Sequence, residues 1–279
     1  MATLVQVLQH VLETRDPLLA NETRRIILKE ALQAYVLDFL YNHPAYRRLN
    51  FYGGSCLHVV YALNRLSEDL DLDNNAGMDL SNLAPDLQAF FRNTLGSPQA
   101  SVKSQRGERG ILHVTLKIPV LRALGLSLNP NEALHLKVEV SHHEQVADIQ
   151  HTPVFYYGHS FVPGHFSLET MMAGKMLACL ERNFQRGKEG IFIKGRDFYD
   201  LLWFMQKRVQ PLEEKLAKEG AMAYSVRSAM LDLKKKVDAI KPVALAVDLL
   251  PLFESRIYVE EWLKAFHANF AETLGYYFQ

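Results

Sequence analysis

The sequence has few cysteines, no excess charge of either sign and no long apolar run. Cys56 and Cys179 are the only cysteines among 279 residues, too few for a disulfide framework and typical of a reducing compartment. Thirty-one basic residues balance thirty-one acidic ones, so a nucleic-acid partner would need a local basic patch. No apolar stretch reaches about 18 residues, and the first residues lack a signal-peptide pattern. We therefore expect a soluble, cytoplasmic protein without a membrane partner.

Two short motifs, separated by the length of a helix, carry most of the chemical information. Gly53-Gly54-Ser55 comes first, and Asp69, Asp71 and Asp73 alternate with leucines downstream. Glycines adopt unusual backbone angles and leave amides accessible to phosphate oxygens. The alternation predicts a half-buried strand, and residues 57–63 predict a short apolar helix between the motifs.

In such a strand Asp69 and Asp71 would share one face, roughly 7 Å apart. Two like charges so close repel unless a divalent cation neutralises them, and hard oxygen ligands favour Mg²⁺ or Mn²⁺. Paired metal ions of this kind serve nucleotidyl transfer. The simpler alternative is a glycine turn followed by solvent-facing charges on an edge strand.

Apolar periodicity predicts the other elements of an α+β protein. Asn21 is expected to cap a helix that ends before His43-Pro44, and residues 101–120 are expected to form a hairpin. A further strand at residues 134–141 would place Glu139 beside the aspartates if the strands are neighbours; otherwise it is a charged surface strand. The remaining expected helices span residues 21–41, 80–95, 167–182, 196–203, 222–240 and 256–273, with a loop at 187–195.

Basic residues cluster after the acidic strand and are either solvated helix faces or a nucleic-acid patch. They are Lys175, Arg182, Arg186, Lys188, Lys194 and Arg196, with Lys234, Lys235 and Lys236 further on. The aromatic residues of the last helix, Trp262, Phe266 and Phe270, are expected to belong to the core.

The motifs together resemble the AbiEii/AbiGii toxin family, which includes the MenT-like toxins. The matching segments are Gly53-Gly54-Ser55, residues 65–71, Lys175 and residues 196–201. The resemblance implies a DNA polymerase beta-like nucleotidyltransferase core, a small mixed sheet flanked by helices at residues 1–160. A mainly helical C-terminal lobe at residues 161–279 would complete the active site.

The resemblance also implies roles for single residues. Asp69 and Asp71 would bind metal and act in catalysis, and Glu139 fits the family's acidic strand position as a third ligand. Gly54, Ser55 and Ser67 would lie at the nucleotide, and Ser67 matches a serine that some relatives phosphorylate. Lys175 would bind nucleotide phosphates and Asp197 would complete the catalytic set.

The leading hypothesis is a metal-dependent nucleotidyltransferase toxin that transfers a nucleoside monophosphate from a nucleoside triphosphate to an acceptor hydroxyl. The resemblance points to tRNA as acceptor and to a cognate antitoxin protein. One alternative is a nucleotide-binding or partner-binding module with the same fold but no transfer. Another is a kinase-like or sugar-nucleotide transferase that uses the acidic pair for metal.

Overall fold

A computed structural model describes residues 2–107, 110–142, 144–182, 184–185 and 191–278. The chain divides into two compact units, of which the first comprises Met1–Glu144 and Ile149–His165. The second comprises Gln145–Asp148 and Phe166–Gln279. Among the described helices, none combines the length and the apolar character needed to cross a membrane.

The first unit contains the long helix that the sequence predicts. Its helices are α1 Leu4–Glu13, α2 Asn21–Asn42, α3 Gly53–Tyr61 and α4 Leu83–Ala89, the last continued by a π-helical turn at Phe90–Thr94. Helix α2 ends before Pro44, as expected, because a residue that precedes proline disfavours the helical region. The expected Asn21 cap is wrong, since Ala20 occupies the cap position without a side-chain bond and Asn21 is already helical.

A seven-stranded mixed sheet forms the centre of this unit, in the order β3-β4-β5-β2-β1-β9-β6. Strand β2 pairs in parallel with β5 and antiparallel with β1. A separate hairpin joins β7 to β8. The strands are β1 Asn50–Tyr52, β2 Leu70–Asp73, β3 Ser101–Arg106, β4 Leu112–Ile118, β5 Leu134–Ser141, β6 Ile149–His151, β7 Val154–Tyr156, β8 His159–Phe161 and β9 Gly164–Phe166.

The acidic strand is central, because β1 and β5 flank β2 on its two sides. The edge-strand alternative is therefore wrong, although the alternation of buried leucines with aspartates is present. The hairpin β3–β4 and the strand β5 are confirmed. Strand β5 alternates fully between buried and accessible residues up to Val140, so one face packs into the core and the other carries polar side chains.

The second unit is mainly helical, as expected. Its helices are α5 Leu168–Glu181, α6 Gly195–Gln206, α7 Glu213–Glu219, α8 Val226–Ala239, α9 Val243–Leu249 and α10 Arg256–Leu274. Two short strands, β10 Phe184–Gln185 and β11 Ile191–Phe192, pair antiparallel. The expected loop at 187–195 is wrong where β11 and the start of α6 fall within it, and residues 187–190 lie outside the described part of the chain.

An aromatic cluster fills the core of this unit, as the helical spacing predicts. Phe266 and Phe270 of α10 are buried, and the ring of Trp262 lies 5.1 Å from that of Phe266. Tyr199 of α6 extends the cluster, with its ring 5.2 Å from Trp262. These aromatic residues stabilise helix packing and are not a platform for stacking bases.

Candidate active site

The start of α3 is built directly against the acidic strand. Gly53 is the first residue of the helix and has a φ of +78°, a conformation that side chains disfavour. A Cβ added to Gly53 would lie only 2.1 Å from Oδ2 of Asp71. Glycine is favoured here for two independent reasons, because the backbone angle disfavours a side chain and the nearby carboxylate would have to move to admit one.

The helix therefore begins at Gly53, four residues before the expected start at Leu57. The N-cap residue Tyr52 makes no side-chain capping bond, and the first-turn amides of a helix point towards an acceptor beyond its end. The turn is packed tightly, since a Cβ on Gly54 would lie 2.5 Å from Nη2 of Arg65. Arg65 is buried, and its Nη1 donates to the carbonyl of Leu66 at 3.0 Å.

A buried hydrogen-bond network fixes the segment that enters β2. The Ser55 hydroxyl bonds to the Ser67 hydroxyl at 2.8 Å and to the carbonyl of Asp69. The backbone amide of Ser67 donates to Glu30 Oε1 at 2.9 Å, and its carbonyl accepts from Gln33 Nε2 at 3.0 Å. Ser67 is only 6% exposed, so a modifying enzyme would reach its hydroxyl only after this segment moved.

The sheet places three of its polar residues in one row. Asp71 of β2 is the register partner of Glu139 of β5, which in turn pairs with His113 of β4. His113 Nδ1 lies 3.3 Å from Glu139 Oε1. The expectation that the strands of Asp71 and Glu139 are neighbours is confirmed, whereas Asp69 immediately precedes β2 and does not belong to it.

The donor chemistry of this row suits a divalent cation. Among the described residues, no group of three or more acidic, histidine or cysteine side chains is arranged to hold a metal. Magnesium does not require such a cage, because it usually takes one or two carboxylates and completes its octahedron with water and substrate phosphates. Asp71 and Glu139 are register partners on neighbouring strands, and Asp71 lies against the first residue of α3, so their carboxylates fit that pattern of coordination.

In the second unit, a compact ion cluster joins α5 to α6. Lys175 Nζ lies 2.7 Å from Asp197 Oδ1 and 2.9 Å from Asp200 Oδ2. Arg182 Nη1 lies 3.5 Å from Asp197 Oδ2. Both aspartates are buried. Burial opposes ionisation of Asp197, but the neighbouring Lys175 and the two arginines Arg182 and Arg196 outweigh it and hold its pKa at about 2.

Sequence reasoning missed Asp200, although the signal was available. Asp200 follows Asp197 by three residues, which places both on one face of α6. Both lie in the segment that matches the family, but the resemblance implies a role for Asp197 alone. The structure brings both to the same ammonium group of Lys175.

Some of the basic residues expected to form a patch already have partners within the unit. Burial and the charge of Arg196 lower the pKa of Lys194, and the backbone amide of Arg196 donates to a carboxylate oxygen of Asp248 at 2.9 Å. Arg186 and Lys188 lie outside the described residues. Farther along, the Lys234 and Lys235 side chains form ion pairs within α8 itself, which is the behaviour of a solvated helix face.

Comparison with protein families agrees with this geometry. The family described as "Nucleotidyl transferase AbiEii toxin, Type IV TA system" matches residues 37–276. The chain belongs to the AbiEii nucleotidyltransferase toxin family. The match includes β1, α3, β2 and the Lys175 cluster, so every motif identified in the sequence lies inside the family region.

A solved structure shares the fold of this chain. A candidate nucleotidyltransferase from H. pylori superposes with a TM-score of 0.50 and 17% sequence identity, and the alignment covers 88% of this chain and 92% of that one. At this identity the likeness concerns the fold alone. No curated protein sequence matches the chain.

Membership of the AbiEii family establishes the class of reaction. The protein is a nucleotidyltransferase and the toxin of a toxin–antitoxin system, which implies an antitoxin partner and a nucleoside triphosphate substrate. The binding-module and kinase-like alternatives are therefore set aside. The α+β nucleotidyltransferase fold expected from the sequence is confirmed.

Proposed function

We propose that this AbiEii toxin transfers a nucleoside monophosphate from a nucleoside triphosphate to a hydroxyl group of tRNA, in a reaction that depends on Mg²⁺ or Mn²⁺. The hydroxyl oxygen attacks the α-phosphorus, the bond from that phosphorus to the bridging oxygen breaks, and pyrophosphate leaves. The hydroxyl proton passes to water. The observation that supports this most strongly is the contact between the Asp71 carboxylate and the glycine that opens α3.

That contact places a negative carboxylate at the N-terminus of α3. The helix N-terminus attracts phosphate oxygens, while a carboxylate at the same point repels them unless a cation lies between. Asp71 and Glu139 would hold that cation, with Asp69 as a further ligand from the preceding segment. When bound, a divalent ion of this kind neutralises charge on the phosphates and polarises the attacked phosphorus.

The helix α3 would bind the triphosphate through its backbone. Gly54 has no side chain to obstruct a phosphate, and the Ser55 hydroxyl is already bonded to Ser67 and Asp69. Ser55 would therefore contact the triphosphate through its backbone amide. Ser67 would act by fixing the segment and not by touching phosphate.

Lys175 and Asp197 would serve the nucleotide, as the family resemblance implies. A lysine ammonium is a compact charge suited to phosphate oxygens, and Asp197, ionised at all physiological pH values, holds it in a fixed position. This assignment and the tRNA acceptor are supported by the resemblance to AbiEii toxins. An antitoxin protein would limit the resulting arrest of translation.

The test is incubation of the purified protein with each α-labelled nucleoside triphosphate, Mg²⁺ and total tRNA. We expect one or more labels to enter RNA with the wild type, and none to enter with Asp69→Ala or Asp71→Ala. Asp79→Ala, which removes an exposed aspartate of the same unit, is the matched control and should transfer normally. Thermal melts followed by circular dichroism check that each variant is folded.

Two results would contradict the proposal. Full transfer by either active-site variant would show that the carboxylates do not carry the chemistry. Label that enters protein and never RNA would show that the acceptor is wrong, while leaving nucleotidyl transfer in place. Replacing Mg²⁺ with EDTA should abolish transfer, and activity that persists in EDTA would refute metal dependence.

A further inference from the structure

The polar face of strands β3, β4 and β5 carries a group of lysines that sequence reasoning did not single out. The register pairs Lys137 of β5 with Thr115 of β4, and Thr115 with Lys103 of β3. One step further along the strands, His135 pairs with Lys117. Register partners project to the same face of a sheet, so the three lysines share one surface, which we call the lysine face.

The lysine face is accessible and electropositive. Lys103 and Lys137 are exposed and Lys117 is half-buried. Within the described part of the chain, none of the three forms an ion pair. Partial burial lowers the pKa of His135, and the nearby charges of Lys117, Lys29 and Lys137 lower it further.

The lysine face is continuous with the acidic row. Lys137 is two residues before Glu139 on β5, about 7 Å along the strand, and Glu139 is the register partner of Asp71. Lys103 lies two strands from Lys137, roughly 10 Å across the sheet. Positive charge therefore lies to one side of the carboxylates. The lysines are spaced on the same scale as phosphates along a nucleic acid strand.

We propose that the lysine face binds the phosphate backbone of the RNA acceptor and so directs its reactive hydroxyl towards the row of Asp71 and Glu139. This inference rests on the proposed function, because it assumes that the acceptor is RNA. It assigns positioning roles to Lys103, Lys117 and Lys137, with the hydroxyl of Thr115 as an additional donor to phosphate.

The charge pattern of the lysine face favours a polyanion over a folded protein as its partner. The face contains cations and small polar groups, whereas protein interfaces are depleted of lysine at their centre and enriched in aromatic residues. Phosphate contacts of this type position a nucleic acid without reading its sequence. Because the chain has no net charge, binding of a nucleic acid needs a local basic surface. The lysine face is such a surface and lies beside the candidate metal ligands.

The experiment measures binding of total tRNA without triphosphate, as a function of salt concentration. The variant is the triple replacement Lys103→Gln, Lys117→Gln and Lys137→Gln. Each lost phosphate contact reduces the slope of log affinity against log salt by about 0.7 to 0.9. The triple variant should therefore lower the slope by about 2 to 3, so that its loss of affinity relative to the wild type grows as the salt concentration falls.

A control variant removes the same charge from exposed helices. Its replacements are Lys218→Gln, Arg256→Gln and Lys264→Gln, three side chains that are 63%, 76% and 71% exposed. Its salt slope should equal that of the wild type. Triphosphate binding, measured in parallel, should be unchanged in both variants, because the lysine face contacts the acceptor and not the nucleotide.

The inference is overturned if the lysine variant keeps the wild-type slope, or if the control variant loses as much. It is also overturned if triphosphate binding falls together with RNA binding, since the lysines would then serve the nucleotide or the fold. Label transfer by the wild type is scored separately. A protein that binds tRNA through these lysines but transfers no label would refute the proposed reaction and support the lysine face.

Discussion

Replacement of Gly53 by alanine should reduce the rate of transfer far more than it reduces the stability of the fold. The residue has a φ of +78°, and an alanine in this left-handed region costs about 1–2 kcal/mol. Its Cβ would also lie 2.1 Å from Asp71 Oδ2. A real contact of this kind is essentially never shorter than 3.0 Å, so the carboxylate must move by about 0.9 Å, the difference between the two distances.

A displacement of this size matters more for transfer than for folding. A misplacement of about 1 Å typically costs about 100-fold in rate, equivalent to roughly 2.7 kcal/mol of activation free energy. The strain itself is small beside the 5–15 kcal/mol that typically stabilises a domain. We therefore expect Gly53→Ala to remain folded and to lose about 100-fold in the rate of label transfer to tRNA.

The chain supplies a matched control at Gly77. It has a φ of +62°, and a Cβ added there would meet nothing within 4 Å. Gly77→Ala should therefore lose the same 1–2 kcal/mol of stability, measured by urea unfolding, and keep its transfer rate. The reasoning fails if Gly53→Ala transfers at the wild-type rate, or if Gly77→Ala is equally inactive.

Two further predictions concern buried carboxylates. Because the pKa of Asp197 falls from 3.8 to about 2 on folding, its ionised form contributes about 2 kcal/mol above pH 4 that is lost as the pH falls to 2. Between pH 4 and pH 2, the free energy of unfolding in urea should fall less for Asp197→Asn than for the wild type. An equal fall in both proteins would refute this linkage. Glu30→Ala should cost about 1–3 kcal/mol, since it leaves the Ser67 amide without its acceptor, while Glu30→Gln, which retains an oxygen, should cost less; equal thermal melts of the two would contradict the role of that bond.

The sequence predicts much of the fold because the relevant signals are local. Alternating leucines and aspartates specify β2, and alternation over eight residues specifies β5. The order of the strands depends on pairing between segments that are distant in the sequence, so the alternation in β2 does not tell a central strand from an edge strand. Strands β6 to β9, each three residues long, are too short for periodicity to reveal, and their pairing depends on tertiary contacts.

The candidate site is predicted less completely for a related reason. The motif identifies Gly53 as special, but its contact with Asp71 depends on how β1 and β2 pair. An isolated reading treats the glycines as a turn, whereas burial of Cys56 and Leu57 extends α3 back to the strand end. Local propensity is overridden wherever burial of apolar surface favours another backbone path.

The lysine that we propose binds phosphate, Lys175, is also part of the fold. One ammonium meets two buried carboxylates, Asp197 and Asp200, and Arg182 approaches the first of them. Two cations therefore balance two anions. Removing the lysine would leave both carboxylates buried with less compensation, a change that typically costs 3–5 kcal/mol. On the proposed assignment, the carboxylates hold Lys175 ready for the triphosphate, and the side chain of Arg182, which is 53% exposed, would add to the attraction.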